Sequence, residues 1–191
     1  HGAFEVGDPS SKGFRAPHAG IATGKDGRRL GDRKALIDQL DRIRHSVDVD
    51  LRGNLAGTDQ FRELAYEMLT SPESAKAFNL AEESSTLRDR YGRNLWGQAC
   101  LLARRLAEAG TSVINIYFNT PKTRPEFTNW DDHAGNAGRE GHFAKFMKIR
   151  LSYMDQALAT LIEDIYAQDL QQQILVVVVG EFGRTPVMRY G

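Results

Sequence analysis

Six consecutive apolar residues, Ile174 to Val179, four of them valine, run straight into "GEFGRTP". No other stretch limits the fold as strongly. The run does not alternate polar with apolar, so it predicts a strand covered on both faces, as in a largely parallel sheet. A buried strand that ends by delivering Glu181, two glycines and Arg184 is either stopped by its glycines or aiming a carboxylate and a guanidinium into a site. Gly180 and Gly183 permit a sharp turn and a close approach to a partner. Arg184 can grip an anionic oxygen in a forked contact, or pair with Glu181 and lock the turn.

A matching unit precedes it. "TSVINIYF" (111–118) is rich in β-branched and aromatic residues and predicts a strand. A polar loop of about two dozen residues, 119–142, follows. The spacing of Met147, Leu151, Met154, Leu158, Leu161 and Ile165 then predicts a helix over roughly 143–168, with these residues as its core face. Upstream, Leu87, Tyr91, Leu95, Leu102 and Leu106 share one stripe of a long helix, ended by Gly110 as a C-terminal cap. Helix, strand, loop, helix and strand in that order predict an α/β fold with a mostly parallel sheet and flanking helices. In such sheets sites lie beyond the C-terminal ends of strands, where the loops after 118 and 179 would open together.

The first part of the chain differs. Residues 1–31 are rich in Gly, Pro, Ser and charge and hold no period, so they predict an extended, loop-like segment. Residues 32–84 predict a helical layer. Leu36, Leu40, Ile43 and Val47 share a face, as do Phe61, Leu64, Ala65 and Met68. "TSPES" starts a third helix, with Ser71 able to cap, Pro72 at the first helical position and Thr70 with Glu73 at capping-box spacing. Residues 85–191 form the α/β part with the candidate site, and the whole reads as part of one domain continuing past both ends.

Composition excludes some classes. The 191 residues carry 25 basic and 25 acidic side chains, so nothing marks a general nucleic-acid binder. No apolar stretch approaches the ~18 residues of a membrane span. The one cysteine, Cys100, excludes an intrachain disulfide and a cysteine-based zinc site, and its helical setting predicts a buried structural thiol. "GKDG" and "GRRLG" lack phosphate-loop spacing. No Gly-x-Ser-x-Gly elbow is present. Arg104 and Arg105 predict a solvated helix face, and His18 and His45 surface or capping roles.

Within the first loop, "NWDDH" sets Asp131 and His133 two residues apart, where an extended backbone turns both side chains the same way toward one ion. On their own, such residues are commoner in solvated loops than at metals. His142 is either a further ligand or part of the helix start.

"WGQACLLARRLAEAG", "WDDH", "MDQALATLIEDI" and "VVVVGEFGRTP", with "FEVGDPSSKGFRAP", "LTSPESAKAFNL" and "LRDRYGR" in order before them, resemble the domain-of-unknown-function 1501 family. This is a bacterial group related to the alkaline phosphatase and sulfatase superfamily. The resemblance covers nearly the whole chain. It implies an alkaline phosphatase-like fold and a metal-dependent hydrolase of phosphate or sulfate esters, of small molecules or of polysaccharide. It also implies a divalent ion (zinc, calcium or magnesium) held by Asp131, His133 and Glu181, with Asp132 as alternative to Asp131. Arg184 would bind the anion. Glu181-Phe182 stands where the superfamily usually has Asp-His. The nucleophile is not identified in this chain, so the expected fragment is inactive alone. The rival expectation is a non-catalytic protein that binds anionic or sulfated polysaccharide. Family resemblance further implies export to the periplasm or cell envelope, although no signal peptide is visible.

Overall fold

A computed structural model describes residues 5–15, 25–47, 66, 71–118, 130 and 147–180. They form five helices: α1 (Lys25–Val47), α2 (Pro72–Phe78), α3 (Ser85–Tyr91), α4 (Leu95–Glu108) and α5 (Lys148–Ala167), with a 3₁₀ turn at Leu80–Glu82. The chain divides into two compact units, residues 1–7 with 13–80 and residues 8–12 with 81–191.

The expected α/β fold with a mostly parallel sheet is corrected by this architecture. Among the described residues there is no strand, and the regular structure is helical. Residues 112–118 and 174–180 run without a ladder. Ile114, Ile116 and Phe118 are half-buried while Val113, Asn115 and Tyr117 between them are exposed, an alternation that leaves one side open. The valine run is not covered on both faces either, since Leu175 is 86% and Val179 82% exposed. The physical reason is that strand preference measures how a side chain packs on paired neighbours, and without a ladder it fixes no strand.

In the first unit, α1 begins at Lys25, seven residues before the expected start at Asp32 and inside the segment expected to be loop-like. Lys34 pairs with Asp38 one turn on, at 3.3 Å, and its ammonium lies 5.4 Å from the Tyr66 ring centroid. Leu36, expected on the core face, is 57% exposed. The start of α2 is as its sequence predicts: the Ser71 hydroxyl accepts from the Ser74 amide at 3.1 Å, and Pro72 follows where its missing N–H costs nothing.

In the second unit, α3, α4 and α5 pack pairwise against one another. The single long helix expected over 87–106 is two. α3 ends at Gly92, whose φ of 92° L side chains rarely adopt. Asn94 then caps α4 by accepting from the Gly97 amide at 3.0 Å. At the other end Gly110 has φ 93°, its amide bonds Ala107 O at 2.9 Å, and the Thr111 amide bonds Leu106 O at 2.9 Å. That pair of bonds is a Schellman motif, and it answers the expected glycine cap.

The core between these helices takes Tyr91, Trp96, Cys100, Leu101 and Leu102 from α3 and α4, and Ala157, Leu161 and Ile165 from α5. Each large apolar side chain so buried contributes about 1.5–3 kcal/mol. Cys100 is the expected structural thiol, and burial pushes its pKa up to about 12, so it stays protonated and inert. On α5 the buried face runs through Arg150, Ala157, Thr160, Leu161, Asp164 and Ile165, while Leu151 is exposed. A stripe drawn through leucine and methionine alone is therefore rotated from the true one, because an arginine and an aspartate sit inside.

The expected solvated face at Arg104 and Arg105 is also corrected, both being buried. Arg104, 4% exposed, donates to Asp164 at 2.9 Å, Glu83 at 2.7 Å and Glu108 at 2.7 Å. Asp164 also accepts from the Tyr91 hydroxyl at 2.8 Å. Arg105 donates to Glu83 as well, and to Glu82 at 3.3 Å. Five N–H donors in a planar fork let one buried arginine serve several carboxylates at once. Burial alone would lower the Arg104 pKa, but Glu83, Asp164 and Glu108 raise it. Burial and the neighbouring Asp164 push the Tyr91 phenol up, so it remains a donor.

Glu83 titrates the other way. Burial would raise its pKa, and the hydrogen bonds and charges of Arg105 and Arg104 outweigh this to hold it below the ordinary 4.5. A carboxyl whose pKa is depressed by folding adds stability above its unfolded value, and loses it as pH falls through the folded one. The denaturation midpoint should therefore fall on acidification below about 4.5. Glu83→Gln should flatten that acid limb and lower the midpoint at pH 7. An unchanged acid limb in urea titrations would rule out this role.

Candidate functional site

Residues 112–118 and 174–179 each precede a loop with candidate ligands. Both line one cleft of about 700 Å³, with α4 and α5 contributing Ala103, Ala107, Leu158 and Leu161. Phe118 and Val179, near the start of each loop, both face this space.

The first loop is anchored within the second unit at Trp130. Its indole N–H donates to the Phe118 carbonyl. Its ring stacks on Trp96 of α4, with centroids 5.7 Å apart and planes at 23°. Trp96 also meets the Phe118 ring at 5.3 Å in a tilted contact. The guanidinium of Arg150, fully buried on α5, lies 5.6 Å from the Trp130 ring centroid, within cation–π range. One aromatic residue thus joins α4, α5 and the end of the 112–118 segment. Sequence reasoning passed over this cluster, although the chain has only two tryptophans and both take part. That scarcity was the available signal.

Asp131, Asp132, His133 and His142 of the first loop, and Glu181 and Arg184 of the second, lie outside the described residues. Phe118, before the first loop, bonds Trp130 within it, and Phe118 and Val179 line the same cleft. Among the described residues no group of three metal-ligating side chains occurs, and no helix is long and apolar enough to cross a membrane.

The family model described as "Protein of unknown function (DUF1501)" matches residues 3–191, and the chain belongs to that family. No curated protein and no solved structure matches.

Proposed function

We propose that the chain carries part of the site of a metal-dependent hydrolase of phosphate or sulfate esters, related to the alkaline phosphatase and sulfatase superfamily. The reading rests on the two loops and on no sheet. The observation that carries it is the shared cleft: Phe118 and Val179, leading to "NWDDH" and "GEFGRTP", line the same space. The donor chemistry fits a divalent ion. Two carboxylates and an imidazole, from Asp131, Glu181 and His133, suit zinc with a position left for substrate, and their oxygens also suit magnesium or calcium. Asp132 is the alternative to Asp131, and His142 a further donor. When bound, such an ion supplies Lewis acidity toward an ester oxygen. Arg184 offers a forked pair of N–H donors to the anionic oxygens and offsets charge that grows there. Export to the periplasm or cell envelope accompanies this reading.

The test is made on the full-length protein, by metal analysis and by hydrolysis of aryl phosphates and aryl sulfates. The expected result is a bound divalent ion and ester hydrolysis, both lost in the Asp131→Ala, Glu181→Ala double variant. A protein that binds no divalent ion and hydrolyses neither ester would end the proposal. Retention of a sulfated polysaccharide without hydrolysis would replace it with a binding role.

A further inference from the structure

Two extended segments of the second unit, 112–118 and 174–179, turn apolar side chains outward as well as inward. Inward, Ile114, Ile116 and Phe118 on one segment and Ile174 and Val176 on the other are half-buried along the cleft they border. Outward, Val113, Tyr117, Leu175, Val177, Val178 and Val179 are between 58% and 86% exposed. These six residues expose on the order of 800 Å², which exceeds the few hundred of an ordinary monomer patch and matches the share each partner gives to a stable interface. Charge narrows what can cover them. Neither segment contains a charged residue. Among the described residues lining the cleft only Arg104 is ionisable, and Asp164, Glu108 and Glu83 take its Nε, Nη1 and Nη2. A charged partner therefore meets no counter-charge here. A lipid surface is met by faces that carry Lys and Arg, and residues 111–119 and 170–180 hold neither. An apolar, uncharged surface is complementary to itself, which is what a twofold interface requires. We propose that a second copy of this chain covers it, the outward side chains of the two copies packing on each other about a twofold axis with the 175–179 row at the centre. The inward side chains stay over the helices of their own copy. The inference does not rest on the metal reading above.

The experiment follows the full-length protein by analytical ultracentrifugation over a wide concentration range, as wild type, Val177→Asp, Tyr117→Asp and Ile162→Asp. Val177 and Tyr117 belong to the surface on separate segments, and both are exposed enough for a monomer to tolerate aspartate. Ile162, also exposed, lies on α5 outside the surface and is the control. Wild type and Ile162→Asp are expected to be dimers with similar dissociation constants. In Val177→Asp and Tyr117→Asp the constant should rise about a hundredfold or more, because each interface would bury two unpaired carboxylates. Their helical circular dichroism should be unchanged. Should one of these variants fail to fold, the other, on its separate segment, decides. A wild type that stays monomeric throughout would overturn the proposal, as would a dimer that neither variant weakens. Open-ended assembly beyond the dimer would also reject it, since a twofold contact closes. A monomeric wild type that floats with neutral lipid vesicles would assign the surface to a membrane instead.

Discussion

Replacing Asp164 by alanine is expected to destabilise the protein by about 3–5 kcal/mol, the cost of removing one partner from a buried ion pair. Asp164 accepts from Arg104 at 2.9 Å and from the Tyr91 hydroxyl at 2.8 Å, and both ion-pair side chains are almost fully buried. Without it Tyr91 keeps a buried hydroxyl with that acceptor gone, and Arg104 keeps a buried charge with Glu83 and Glu108 alone. Asp164→Asn keeps an acceptor oxygen but loses the charge, so it should fall between. Tyr91→Phe removes one donor and should cost about 1 kcal/mol. Urea unfolding followed by circular dichroism measures all three. If Asp164→Ala costs no more than Tyr91→Phe, the pair is not a keystone of this unit.

Gly97→Ala should be nearly as damaging, and for a different reason. A Cβ built on Gly97 would lie 2.0 Å from the Tyr91 carbonyl oxygen and 2.5 Å from that of Gly92. Both obstacles are backbone, so no side chain can swing aside. The start of α4 must move away from the end of α3, which disturbs the Asn94 cap and the bonds from Gln98 to Arg88 O and Gly92 O at 3.0 and 2.9 Å. Overpacking commonly costs 1–3 kcal/mol, and about 3 kcal/mol is expected where backbone must yield. Gly110→Ala is the control: no atom lies within 4 Å of its Cβ, so only its positive φ is penalised. Equal thermal shifts for the two variants would show that the close approach at Gly97 does not matter.

Local signals were legible and distant ones were not. Ser71, Pro72 and Gly110 mark helix ends by chemistry confined to one turn, and each does what its type and position predict. The helix expected over 143–168 is described as α5, Lys148–Ala167. The burial of Arg104 depends on Asp164, 60 residues away, which no local pattern shows. Gly92 breaks a stripe whose apolar spacing continues through it. The composition of the valine run does not say whether a ladder partner is present. For the candidate site the donor types were legible, but Asp131, His133, Glu181 and Arg184 lie outside the described residues. Among the described residues, Trp130 ties that loop to the rest of the second unit.

The bonds within the second unit also close stretches of chain of very different length. Arg88 and Gln98 meet across 10 residues, whereas Tyr91 reaches Asp164 across 73 and Thr160 reaches Arg90 across 70. Chain closure costs more entropy the longer the loop, so the α3–α4 corner can form early from neighbours alone. α5 seats on a corner that presents the Arg90 carbonyl, the Tyr91 hydroxyl and the Arg104 guanidinium. Asp164, Thr160 and Gln156, whose amide donates to the Arg90 carbonyl at 3.1 Å, act as a key that accepts one rotation of the helix, which apolar contacts by themselves would leave free to slip.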